Sequence, residues 1–126
     1  MNENRDKKKV LVVEDTLEER NRVISFIKDK YQVEQAENGL AALEIIKKFI
    51  PDVIILDLEM PIMGGIEFLK KCSEITSSVP KTLILTSKND YLSRKESKEE
   101  GAEFYMSKPV DGPKLLMVLE LMISKD

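Results

Sequence analysis

The run KVLVVED closes on two adjacent acids, Glu14 and Asp15, and VIILD closes on a third, Asp57, with Glu59 two residues beyond. LILT ends in the hydroxyl of Thr86, and FYMSKP carries Lys108 directly before Pro109. Carboxylates held within a few ångströms of one another repel, and a cation between them relieves the strain. Oxygen-only ligation selects a hard cation, Mg2+ or Ca2+, and room for water in the shell favours Mg2+. An ion on Asp15 and Asp57, with Glu14 acting through water, would also attract a phosphoryl oxygen. Carboxylates accept phosphoryl groups as aspartyl phosphates. In-line transfer spreads charge over the phosphoryl oxygens and calls for metal, cation and hydroxyl partners. Lys108 and Thr86 supply the last two. Singly each residue is ordinary: a Lys-Pro marks a turn, a strand-end Thr satisfies backbone, and paired acids cap the next helix.

What is absent narrows the chemistry further. The chain contains no histidine, so no Ser-His-Asp triad, Cys-His pair or His-ligated zinc site can be built. The single cysteine, Cys72, forms no internal disulfide and has no base to activate it as a nucleophile. With 126 residues, 42% apolar and 34% charged, the chain reads as one folded domain and not as a disordered segment. A net charge of −3 argues against direct nucleic-acid binding, and Lys7–Lys9 read as a solvated terminus. No run is long enough to span a bilayer and MNENRDKKK lacks the apolar core of a signal peptide, so no membrane contact and a cytoplasmic location are expected.

The elements that must position these residues alternate, five strand-like with five helix-like. KVLVVED is the first strand. Thr16 and Glu19 form a capping-box pattern ahead of a helix with the stripe Leu17, Val23, Ile24 and Ile27. YQVEQAE alternates and suits a sheet edge. Asn38–Gly39 turns into a second helix with the stripe Leu40, Leu43, Ile46 and Ile50, stopped by Pro51. DVIILD is a strand buried on both faces, followed by the helix GGIEFLKKCSEI and the strand KTLILTS. YLSRKESKEEG is a helix ended by Gly101, EFYMSKP the last strand, and DGPKLLMVLELMISKD the last helix. Strand–helix alternation gives a parallel sheet covered on both faces. Right-handed crossovers then bring every strand's C-terminal end to one edge, where α/β sheets bind ligands. Glu14, Asp15, Asp57, Thr86 and Lys108 all fall there, and the ordinary readings become jointly improbable.

The ordered set VLVVED, AENGLAAL, PDVIILDLEMPIMGG, LILTS and GAEFYMSKP resembles the response-regulator receiver domain of two-component signal transduction. The resemblance spans Lys9 to the end of the last helix, giving an N-terminal tail over 1–8 and a receiver domain over 9–126. It implies a flavodoxin-like, doubly wound five-stranded sheet in the order 2-1-3-4-5 with five helices. It implies Asp57 as phosphoacceptor, Asp15 as direct Mg2+ ligand with Glu14 as its acidic neighbour, and Glu59 as a ligand through its backbone carbonyl. Thr86 and Lys108 match the phosphoryl-binding hydroxyl and lysine, Tyr105 the aromatic switch, and Lys108–Pro109 a cis bond. Gly64 stands where the family usually has an acid, and Gly64–Gly65 are expected to loosen that loop. Glu59 and Lys88 flank the site, and their opposite charges are expected to pair across its mouth and restrict the hydrolytic water.

The implied donor is a phosphohistidine on a histidine kinase or phosphotransfer protein. An output domain or effector protein would read the signal. Between Ser87 and Gly101 the only large apolar residues are Tyr91 and Leu92, so the fourth helix suits a switch element. In the fifth, Leu115, Leu119 and Met122 should face the core and leave Met117 and Leu121 outside, a docking or homodimer surface formed with the fourth helix and fifth strand. Two other functions are weighed. A haloacid-dehalogenase-type phosphatase needs a second Asp where Glu59 stands, and a cap domain. A degenerate receiver acting as a constitutive binding module is opposed by the intact acids, Thr86 and Lys108.

Overall fold

A computed structural model describes residues 7–76, 79–88 and 90–124; residues 1–6 of the expected tail lie outside it. Five parallel strands form one sheet: β1 Lys9–Val13, β2 Gln32–Ala36, β3 Val53–Leu56, β4 Lys81–Thr86 and β5 Phe104–Ser107. Between and after them run α1 Leu17–Ile27, α2 Gly39–Ile46, α3 Gly65–Ile75, α4 Tyr91–Glu99 and α5 Gly112–Ser124. The strand order is β2-β1-β3-β4-β5, as expected. The β1–β3 ladder runs Val10↔Val53 to Val13↔Leu56, and β3–β4 runs Val53↔Lys81 to Leu56↔Ile84.

The central strands are buried on both sides because successive side chains alternate between two apolar layers. On one face Leu11, Val13, Ile54, Leu56 and Ile84 pack with Leu43 and Ile46 of α2 and Phe68, Leu69 and Cys72 of α3. On the other, Val10, Val12, Ile55, Leu83 and Leu85 pack with Val23 and Ile27 of α1 and Leu115, Leu119 and Met122 of α5. β2, the alternating strand, lies at the edge with Glu34 and Gln35 exposed.

Two expected helix stripes are corrected. In α2 the buried face is Gly39, Ala42, Leu43 and Ile46, while Leu40 is 49% and Ile50 75% exposed. The helix stops at Ile46, and the Phe49 N–H bonds the Ile45 carbonyl at 2.8 Å, so that Phe49 and not Ile50 reaches the core. In α1 Leu17 is exposed, and Val23 and Ile27 carry the burial. The helix ends otherwise follow the residues that mark them. Asn38 Oδ1 accepts from the Ala41 N–H and Asp111 Oδ1 from the Lys114 N–H. Gly101, at φ +107°, ends α4.

The loop after β3 is tight, contrary to the expectation from its two glycines. The Gly65 N–H bonds the Leu58 carbonyl at 3.1 Å. A Cβ on Gly65 would lie 2.5 Å from the Asp57 carbonyl oxygen. Glycine is here the condition for α3 to start against the strand end, and it fixes the backbone on which Asp57 stands.

Candidate functional site

The β1 and β3 ladders continue one residue past the strands: the Glu14 N–H bonds the Ala36 carbonyl at 3.0 Å and the Asp57 N–H the Val13 carbonyl at 3.1 Å. Both acids are therefore held by sheet hydrogen bonds and buried to 5% exposure, while Asp15 beside them is exposed. Carboxylate oxygens of Glu14, Asp15 and Asp57 all lie within 4.8 Å of one another. From the far side, the Lys108 N–H bonds the Thr86 carbonyl at 3.0 Å and the Lys108–Pro109 peptide is cis. Lys108 Nζ donates to Glu14 Oε1 at 2.6 Å and to Asp57 Oδ2 at 3.0 Å, and pairs with Glu19 Oε1 at 3.1 Å.

One ammonium thus serves three carboxylates, and among the described residues no cation pairs with Asp15. Burial drives the Glu14 carboxyl up to about 7, and the hydrogen bonds from Lys108 and the Thr16 N–H only partly offset it. Burial also opposes the charge on Lys108, but the hydrogen bonds to Glu14 and Asp57 outweigh it and hold the ammonium above the ordinary lysine value. The acid excess and the all-oxygen donor set fit an oxygen-ligated divalent cation.

Thr86, fully buried at the end of β4, accepts the Lys88 N–H on Oγ1 at 3.2 Å. The Tyr105 hydroxyl donates to the carbonyl of the same Lys88, and the Arg94 guanidinium lies 5.2 Å from the Tyr105 ring centre. The Glu59 N–H donates to Asp57 Oδ1 at 3.2 Å, steadying the carboxylate from its other side.

Residues 10–120 match the family model of the response regulator receiver domain. The chain belongs to that family.

Its relatives agree. The receiver is 41% identical over 106 residues to sporulation initiation phosphotransferase F of Bacillus subtilis, covering 82% of this chain and 83% of that one. It is 30% identical to chemotaxis protein CheY of Halobacterium salinarum, covering 86% and 91%. Among solved structures, chemotaxis protein CheY4 of Vibrio cholerae superposes with a TM-score of 0.86 at 34% identity, covering 92% of this chain and 98% of that one. The protein is a receiver domain of two-component signalling, and none of these comparisons favours the phosphatase or the constitutive module.

Two expectations at this receiver's site are corrected. Glu59 and Lys88 form no ion pair: the Lys88 charge acts on Asp90, whose carboxyl lies below its ordinary value mainly because it accepts the Ser93 N–H. The capping box is not made either, since Thr16 stands at the N-cap without a side-chain bond and Glu19 reaches Lys108 instead. Glu19 and Arg20 are the residues that sequence reasoning missed. Arg20 donates through Nη1 to the Glu14 carbonyl and through Nε to Gln35 Oε1, both at 2.7 Å, fastening the acidic loop to the edge strand. Their signal was position alone: the first turn of α1 sits directly over the end of β1.

Proposed function

We propose that Asp57 accepts a phosphoryl group from a phosphohistidine on a histidine kinase or phosphotransfer protein. An Asp57 carboxylate oxygen attacks phosphorus, the P–O bond forms as the P–N bond breaks, and the electron pair leaves with the donor imidazole. Asp15 and Asp57 would hold Mg2+, with Glu14 acting through water and Glu59 through its backbone carbonyl, and the ion would supply charge neutralisation to the phosphoryl oxygens. Lys108 and Thr86 bind the remaining oxygens. The contact of Lys108 Nζ with Asp57 Oδ2 at 3.0 Å, inside a triad of acids, carries this reading: it sets a fixed cation beside the attacking carboxylate.

Transfer would draw the Thr86 hydroxyl towards the phosphoryl group, release the Lys88 N–H and let Tyr105 turn inward. The surface of α4, β5 and α5 would then change for an effector, an output domain or a second copy. The exposed Met117 and Leu121 support α5 as part of it. The protein acts as a consumed acceptor and not as a turnover enzyme, although its residues promote both transfer and later hydrolysis. Among the described residues no helix is long and apolar enough to cross a membrane, and we place the protein's work in the cytoplasm.

Intact mass after incubation with acetyl phosphate, with and without Mg2+, tests the reading. One added phosphoryl group is expected in the parent with Mg2+, and none in Asp57→Asn or without metal. An unmodified parent, under conditions that modify a known receiver, would refute it. On the output side, Met117→Lys with Leu121→Lys should weaken effector binding or self-association while leaving phosphoryl uptake intact. Unchanged binding and oligomeric state would remove α5 from the surface.

A further inference from the structure

An ammonium has three N–H donors and no acceptor. Lys108 Nζ donates to Glu14 Oε1 at 2.6 Å and to Asp57 Oδ2 at 3.0 Å, and Glu19 Oε1 lies against its remaining side as an ion pair at 3.1 Å. A phosphoryl oxygen must approach this lysine where three carboxylates already crowd it, and pairing with it displaces one of them. The three differ in what release would cost. The side chains of Glu14 and Asp57 are each only 6% exposed, so losing the lysine would cost each a buried hydrogen bond that water cannot readily replace. Glu19, on the first turn of α1, is 44% exposed, and water can replace the lysine there.

We propose that Glu19 is a placeholder for the incoming phosphoryl oxygen, a positioning residue that pairs with Lys108 at rest and is displaced on transfer. This rests on Asp57 being the phosphoacceptor. The Glu19–Lys108 contact stabilises the resting receiver and is absent from the transition state for transfer, so it slows phosphorylation. After transfer, Glu19 stands in water both in the phosphorylated protein and in the transition state for hydrolysis. The hydrolysis rate is therefore indifferent to it.

Loss of a negative charge near the site would by itself assist every anionic reactant, and Glu18 separates the two effects. It is exposed, next to Glu19 in the same turn, and among the described residues it makes no ion pair. The experiment follows two rates with Mg2+ present in parent, Glu19→Gln and Glu18→Gln. In the first, acetyl phosphate loses its phosphoryl group to Asp57 and acetate leaves. In the second, water attacks the aspartyl phosphate, restoring the carboxylate and releasing inorganic phosphate.

Glu19→Gln should accelerate uptake by roughly threefold, the scale of one partly exposed ion pair. Its hydrolysis rate should equal the parent's, and Glu18→Gln should match the parent in both. Unchanged uptake in Glu19→Gln, equal acceleration in Glu18→Gln, or a parallel rise in hydrolysis would each overturn the placeholder role. A parent that takes up no phosphoryl group overturns the assignment of Asp57 and this inference with it. The parent is read first, so the two failures are distinct.

Discussion

Ile62 stands at φ +70° and is 76% exposed, a left-handed backbone under a β-branched residue that little burial rewards. The Met63 N–H closes a tight turn on the Pro61 carbonyl at 2.7 Å, and Met63 in turn accepts the Gly39 N–H at 3.0 Å. The loop thus ties α2 to the segment after Asp57, and Ile62 bears the backbone cost. Ile62→Asn, which tolerates this conformation, should stabilise the fold by about 1 kcal/mol in urea denaturation. Gly65→Ala should destabilise it by about 1–3 kcal/mol, since the new methyl would meet the Asp57 carbonyl and not a yielding side chain. Cys72 offers a pH test. Burial raises its thiol above the ordinary value of 9.0, partly offset by Thr76. The fold therefore favours the neutral thiol, and this contribution is complete at neutral pH and lost as pH climbs through the raised value. Ellman's reagent should leave Cys72 unmodified in the folded protein at pH 8 and label it on unfolding. Rapid labelling of the native protein would contradict its burial.

Among the helices, α4 and α5 are opposites. α5 puts Leu115, Leu119 and Met122 into the core. α4 buries only Ser93 and Ser97, and it turns Tyr91 and Leu92 to solvent at 74% and 72% exposure. A helix with so little apolar burial opens at low free energy. Amide exchange in α4 should accordingly be at least tenfold faster than in α5, a factor that corresponds to about 1.4 kcal/mol. Equal protection would mean that α4 unfolds only with the whole domain. The sequence stripe located the buried face of α5 because large apolar residues recur there at helical spacing. It misplaced that of α2, where the small Ala42 packs inward and the large Leu40 does not. Hydrophobicity marks a face reliably only when side-chain size and position agree. For α4 the near-absence of large apolar residues was itself the signal, although even the two present proved to be outside.

At the scale of the molecule, the convergence of Glu14, Asp15, Asp57, Thr86 and Lys108 was legible because a parallel sheet leaves every strand ending on one edge. Contacts that depend on side-chain reach were not. Glu19 touches Lys108 across 89 positions of chain, and Lys88 fails to meet Glu59 although both border the site. Neither outcome follows from spacing. The link between Thr86 and Tyr105 belongs to the same class, for it runs through the N–H and the carbonyl of Lys88 and through no atom of the lysine side chain. A conduit made of main chain is written in no particular letter. Alanine scanning would pass over it, because Lys88→Ala preserves both groups, whereas Lys88→Pro removes the N–H and cuts the path. In the switch proposed above, the side chain at position 88 can therefore be exchanged without touching either of the two hydrogen bonds that join Thr86 to Tyr105.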